Sequence, residues 1–417
     1  MSSLYTSSGV ANVPSPVLRV NGTGFVRNGK TFTGLGINHY ALALNELADM
    51  GVGGIGGYSA DMTAIKQTWG LPFIRCAFGW YNRTSWYNNY YLNKTAYFAK
   101  LDLVVAKAEA LGVGLIPSLF WNLRGFCDMT YDVYGTLSPM SALSNKSSNA
   151  WLMASTYITE VVTRYKGSSG VWAWGLGNEI VSSCGPEYYS TWVPNGTSQA
   201  FLNWGTRPGG GTYVAADMLS MQQWRVFSQN CIELINSLDQ TGRFISSGTG
   251  HGSSFAVNVQ TTDTLTADTL AQWNSSVLSM PWVTYRDFMF NTVCSHIYPQ
   301  SLVNGTFYNG AEKTHGEIIG LYKGWADAAG RPFFLEEFGS TYHGDPVDPT
   351  STDLATETAN FTAALTAISA NNIPLAAAWN YGGNLAGGAG WMKWKMSDPS
   401  RQYQLVALAT ANAAMNN

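Results

Sequence analysis

The sequence predicts an α/β fold, a (β/α)8 TIM barrel, and three observations carry that reading. Eight short apolar runs rich in Val, Ile and Phe alternate with longer segments of helical period. The runs are continuously apolar, as strands are when helices cover the outer face of a parallel sheet. Gly or Pro stands at many junctions, as in Leu111-Gly112, Gly330-Arg331-Pro332 and Ile373-Pro374.

Strands are expected at Thr31–Ile37, Pro72–Ala77, Gly114–Phe120, Val171–Gly177, Arg243–Ser247, Thr292–Ile297, Pro332–Glu337 and Leu375–Asn380. Helical patterns fill Ala96–Leu111, Trp151–Tyr165, Ala215–Leu238, Thr314–Ala329 and Asp353–Ala370 between them. An open dinucleotide-binding sheet would need a glycine turn directly after its first strand. Gly51-Val-Gly-Gly-Ile-Gly-Gly57 is not in that place and reads as a flexible loop. Residues 1–30 read as an N-terminal hairpin cap on the barrel floor, from Val17-Leu-Arg-Val-Asn-Gly and Phe25-Val-Arg-Asn-Gly. With no internal repeat or long linker, residues 1–417 are expected to form a single catalytic domain. Two long connections, 180–214 and 251–291, would project from the C-terminal face, where barrels build substrate grooves.

The composition narrows the partners. Of 417 residues 46% are hydrophobic and 13% aromatic, enough for a large core, while only 12% are charged. A formal net charge of -3 gives no electrostatic case for nucleic acid or an anionic membrane. No apolar run reaches the roughly 18 residues of a transmembrane helix. Met1-Ser-Ser-Leu-Tyr-Thr-Ser-Ser lacks the basic and apolar regions of a signal peptide. The low charge and eight Asn-x-Ser/Thr sequons suit a secreted protein whose leader is absent. A monomer is expected. Of the five cysteines, Cys76, Cys231 and Cys294 read as buried thiols, and Cys127 with Cys184 as a possible disulfide between neighbouring loops. The five histidines form no helical metal-ligand pair, so neither a metal nor another cofactor is expected.

The strand ends carry the chemistry. In order they present Asn38 and His39, Arg75, Trp121 and Asn122, Asn178 and Glu179, His251, His296 and Tyr298, Glu337, and Trp379 with Asn380. Trp174-Gly-Leu-Gly-Asn178-Glu179 and Phe334-Leu-Glu336-Glu337-Phe-Gly339 each end an apolar run on a carboxylate. Two carboxylates across a cleft form the minimal machine for glycosidic cleavage, one protonating the leaving oxygen and the other attacking carbon or activating water. Strand alternation admits only one of Glu336 and Glu337 to the barrel mouth. The other would back it up or pair with a cation in the helical layer. The aromatic cluster Trp80, Tyr81, Trp86, Tyr87, Tyr90 and Tyr91, with Trp192, Trp204, Trp391 and Trp394, suggests sugar-stacking subsites or an aromatic lid.

These motifs resemble the retaining glycoside hydrolases of family 5, whose acid/base and nucleophile follow the fourth and seventh barrel strands. The similarity runs from Arg19-Val-Asn-Gly and Gly34-Leu-Gly-Ile-Asn38 to Ala378-Trp379-Asn380, and is most specific at Trp172–Glu179, Ser295–Tyr298 and Glu337–Gly339. The resemblance implies that Glu179 is acid/base and Glu337, rather than Glu336, the nucleophile. It implies that Asn178 binds the sugar 2-hydroxyl, that Arg75, His296 and Tyr298 order the nucleophile, and that Trp379 is a stacking platform. Trp121-Asn122 departs from the pattern, because many members carry histidine there. In a retaining pair the carboxyls stand roughly 5–5.5 Å apart, so both do not ionise easily. Arg75 would keep Glu337 charged and leave Glu179 as the acid. The expected partner is a β-1,4-linked glucan or mannan, polysaccharide or oligosaccharide. The alternatives are an exo-acting β-mannosidase or β-glucosidase, a transglycosylase, and a catalytically silent carbohydrate-binding barrel.

Overall fold

The computed structural model describes residues 15–47, 57–180, 207–211, 213, 217–250, 270–275, 286–298, 314–340, 354–382 and 395–415. Three short strands come first, β1 (Arg19–Asn21), β2 (Gly24–Arg27) and β3 (Lys30–Phe32), paired as an antiparallel meander. Eight parallel strands follow: β4 (Gly34–Asn38), β5 (Phe73–Ala77), β6 (Gly114–Phe120), β7 (Trp174–Gly177), β8 (Ile245–Ser246), β9 (Val293–Ile297), β10 (Phe333–Phe338) and β11 (Leu375–Ala378). Their order in the sheet is β8-β7-β6-β5-β4-β11-β10-β9, the circular sequence of a barrel. Between β8 and β9 the described residues show side-chain links instead of a backbone ladder. Thr292 Oγ1 donates to the Ile245 carbonyl at 3.2 Å, and the Ile245 N–H donates to Asn291 Oδ1 at 3.4 Å.

All eight expected strands are present, with one division. The run Thr31–Ile37 is split at Thr33, its start pairing with β2 and its remainder entering the barrel as β4. The expected N-terminal hairpin is therefore a three-stranded meander. Helices occupy Lys94–Leu111, Leu123–Tyr134, Asn149–Tyr165, Met221–Leu238, His315–Ala328, Leu354–Ala370 and Gln402–Met415. The fourth starts later than its periodicity implies, because Ser220 and Gln223 form a reciprocal capping box that fixes its first turn. Thr314 and Glu317 do the same for the fifth. Gly112, expected as a helix end, sits at φ 63° in the left-handed conformation that terminates Lys94–Leu111.

The floor of the barrel is sealed from within. Leu18, Phe25, Phe73, Ile116, Trp172, Phe244, Cys294, Phe334 and Leu375 form one buried cluster. Leu18 threads between two barrel strands: its N–H donates to the Trp172 carbonyl at 2.9 Å and its carbonyl accepts from Phe244 N–H at 3.0 Å. Side chains of this size contribute about 1.5–3 kcal/mol each when buried. The lower end is packed with apolar side chains, and the polar cluster that follows lies toward the upper end.

Candidate active site

Arg75 organises the upper end. It is fully buried on β5, and a charge so placed costs several kcal/mol unless its donors are satisfied. Its Nη1 donates to Glu337 Oε1 at 2.8 Å and to Asn38 Oδ1 at 3.0 Å, and its Nη2 donates to Asn178 Oδ1 at 2.8 Å. Tyr298 completes the cradle by donating its hydroxyl to Glu337 Oε2 at 2.7 Å. Burial and the Glu337 charge hold the Tyr298 phenol proton well above its ordinary range, so the hydroxyl is a donor at all working pH.

Glu179 follows β7 at φ 45°, in the left-handed region that an L-residue adopts at a cost of roughly 1–2 kcal/mol. Gly248, at φ 69°, makes room beside it, since a Cβ there would overlap the Gly177 carbonyl oxygen. The turn carries the Glu179 side chain over the cleft, where it is 46% exposed against 4% for Glu337. His296 Nδ1 lies 3.0 Å from Glu179 Oε1 and 3.4 Å from Glu337 Oε2. Ligating atoms of all three side chains fall within 4.8 Å of one another, matching the close carboxyl spacing of double-displacement glycosidases. Burial opposes a charge on His296, but Glu337, Glu179 and Glu336 outweigh it and push the imidazole up to about 9. A ring that holds its proton this firmly, beside a carboxylate already bonded to Arg75, is a poor metal ligand set. Burial raises the Glu337 carboxyl above its ordinary value, with His296 and Arg75 opposing and Glu179 adding to the rise.

Alternation fails at one point. Phe334 faces the barrel floor cluster while Phe338 stacks on Phe361 of the outer helix at 5.8 Å, although an even spacing should put both on one face. The register of β10 slips against β9 between Leu335 and Glu337, and against β11 between Leu335 and Phe338. This bulge turns Glu336 and Glu337 to the same side. Glu336 therefore does not reach the helical layer. It is fully buried inside the barrel, 3.7 Å from His296 Nε2 and 3.9 Å from Arg75 Nε.

Other expected site residues divide into walls and supports. Trp379 (6% exposed) lies nearly parallel to Trp121 at 6.2 Å and to Tyr40 at 6.1 Å, and Arg75 stacks over Trp121 at 5.2 Å. Asn38 and His39 were expected to meet substrate, yet both are wholly enclosed. The Asn38 amide donates to the Glu336 carbonyl at 2.8 Å while its oxygen takes Arg75, so it positions Arg75. His39 Nε2 pairs with Asp61 Oδ2 at 2.8 Å. Asn122 Oδ1 accepts the Gly125 N–H at 3.0 Å and caps the helix Leu123–Tyr134. Trp86 and Tyr90 are buried against Phe126 and Tyr157 as an aromatic core between helices, which removes these two as sugar contacts, and Trp80 packs edge-on against Trp86. Periodicity could not separate these packed rings from groove rings. Cys127 is buried on the helix Leu123–Tyr134. His251, Trp192, Trp204, Trp391, Trp394, Cys184 and the Gly51–Ile55 stretch lie outside the described residues, as does most of both long connections.

The sequence reading missed Tyr40, which with Tyr81 of the expected aromatic cluster walls the site beside Trp121. It also missed a neighbouring groove lined by Tyr81, Arg83, Arg124, Asp128, Arg207 and Tyr213. There burial pushes the Asp128 carboxyl up to about 6, against the Tyr213 hydroxyl at 2.6 Å.

The chain is 25% identical over 246 residues to a probable mannan endo-1,4-beta-mannosidase A-1 of Aspergillus terreus, covering 58% of the chain and 50% of that relative. The match thus spans half of the relative's length. In fold it is similar to the endo-1,4-beta-mannanase of Rhizomucor miehei, with a TM-score of 0.60, 16% identity and coverage of 96% of this chain and 99% of that one. A beta-glucanase of Saccharophagus degradans in complex with cellotetraose aligns at a TM-score of 0.52 and 14% identity, over 97% and 96% of the two chains. The family model of the cellulases matches residues 43–384, and the chain belongs to glycosyl hydrolase family 5.

Proposed function

We propose that this protein is a retaining glycoside hydrolase that cleaves β-1,4-linked mannan or glucan by double displacement. The observation that carries the reading is the close approach of Glu179 and Glu337 from the ends of β7 and β10, with His296 between them. In the first step a Glu337 oxygen bonds to the anomeric carbon as the C–O bond breaks, and the Glu179 proton leaves with the departing oxygen. In the second, Glu179 takes a proton from water, whose oxygen displaces Glu337. Arg75 and Tyr298 hold Glu337 at the attack position; such preorganised donors lower the barrier without reorganising during reaction. Asn178, its oxygen held by Arg75, presents its amide nitrogen to the sugar 2-hydroxyl. Trp379, beside Trp121, is the apolar face for the pyranose ring. Similarity to a named mannanase favours mannan, and the fold shared with a glucanase keeps glucan in the comparison. We further propose a single-domain, monomeric, secreted enzyme, supported by its sparse charge and eight sequons.

Proton NMR with cellohexaose and mannohexaose together tests this reading. Early β-anomer and mid-chain products from one substrate are expected. Early α-anomer would refute retention, and release of single sugars alone would select the exo-acting alternative.

A further inference from the structure

Among the described residues around the reacting pair, one buried carboxylate takes no part in either step. Glu336 has no exposed surface, and neither of its oxygens has a hydrogen-bond partner among the described residues. Its near neighbours are two cations that also touch the pair. Arg75 turns Nη1 to Glu337 and Nε toward Glu336; His296 turns Nδ1 to Glu179 and Glu337, and Nε2 toward Glu336. A carboxylate buried without direct hydrogen bonds is expensive, and such groups concentrate where function requires them. The β10 bulge puts it there, and Asn38 Nδ2 fixes its backbone carbonyl at 2.8 Å.

We propose that Glu336 is a positioning residue acting through Arg75 and His296, the fixed counter-charge that keeps their remaining N–H groups aimed at Glu179 and Glu337. The proposal rests on Glu179 and Glu337 being the reacting pair. Charge balance gives the reason. The proposed mechanism starts with Glu336 and Glu337 as anions, Arg75 and His296 as cations and Glu179 protonated, so the cluster sums to zero. When Glu337 becomes an ester and Glu179 gives up its proton, one negative charge moves from Glu337 to Glu179 and the sum is still zero. His296 Nδ1, between the two carboxylates, turns one N–H to whichever is charged, provided the ring stays an imidazolium throughout.

Glu336 stabilises that imidazolium from the Nε2 side. Burial opposes the Glu336 charge, but Arg75 and His296 overcome it and hold the carboxyl below its ordinary range. Among the described residues, the remaining groups facing this centre are neutral. Tyr298 and Cys294 keep their protons, raised by burial, and Ser246 does not titrate.

The test is Glu336→Gln, close in shape and lacking the charge, beside Glu336→Asp, assayed on 2,4-dinitrophenyl β-cellobioside and β-mannobioside. Expected for Glu336→Gln are a fall in kcat of about tenfold and an alkaline limb moved acidward by about one pH unit. Glu336→Asp should restore the limb. Ring 15N NMR of His296 should show proton loss at lower pH in Glu336→Gln, a readout that survives loss of turnover. An unmoved limb and an unmoved His296 titration would overturn the proposal, leaving Glu336 a packing residue. Azide separates the two layers of the argument. Azide rescue of Glu337→Gly beside an unmoved limb defeats this proposal alone. Rescue of Glu336→Gly instead would show Glu336 to be the nucleophile and defeat both.

Discussion

The ends of β7 and β10 carry the same functional group in opposite settings. Glu337 is almost enclosed and held through both oxygens, by Arg75 and Tyr298. Glu179 is nearly half exposed, on a strained left-handed turn, with His296 on one oxygen. A nucleophile must meet one carbon along one line, so immobility serves it. An acid/base must exchange its proton with water between steps, so access serves it. On the proposed mechanism the environment, and not the residue type, divides the labour.

The largest effect that could break this comparison is at Glu337. Glu337→Gln should lower turnover on the order of 10^5-fold on every substrate. Retention of wild-type rates would end the assignment. Glu179→Gln should cost about 10^2- to 10^4-fold on cellohexaose or mannohexaose, the range of general acid catalysis. On a 2,4-dinitrophenyl glycoside, whose leaving group needs no proton, pre-steady-state glycosylation should be nearly intact. Equal losses on both substrate types would erase the asymmetry between the two strand ends.

Tyr298→Phe removes one charge-assisted hydrogen bond from Glu337, about 1.5–3 kcal/mol, so kcat should fall about 10- to 100-fold with KM little changed. A rise in KM alone would recast Tyr298 as a substrate contact. Stability should carry the mark of His296. Its proton is held more tightly folded, with a value near 9, than unfolded, near 6.5. Its contribution is therefore full below pH 6.5 and lost as pH rises through about 9. Urea unfolding at pH 6 and pH 9.5 should show that loss in the wild type and less of it in His296→Asn. The smallest effect is at Asn122: Asn122→Ala should cost about 1 kcal/mol of stability through the lost cap, with KM unchanged.

Glu336 marks the boundary between pattern and packing. Alternation is a local rule, and on it Glu336 and Glu337 should part to opposite faces. The bulge that unites them depends on how β10 registers against β9 and β11, strands distant in the sequence. No feature of Leu335-Glu336-Glu337-Phe338 announces it. The aromatic segment after β5 shows the same limit. Trp86 looks the same in sequence whether it meets a sugar or Phe126, and only the neighbouring helices decide.

What the sequence by itself determined is what local chemistry and repetition encode. The continuous apolar runs and helical periods specified eight strands and five of the helices around them, because parallel strands are buried on both faces. The scarce carboxylates at two strand ends identified the candidate reacting pair, because barrel topology brings strand ends to one rim. Tertiary structure alone decided which groups touch. The enclosed Asn38 and His39, the helix-capping Asn122, and the buried Glu336 beneath Arg75 and His296 owe their roles to burial and partners from other strands. Burial sets the electrostatic strength of every contact, and it is a property of the assembled barrel rather than of any segment.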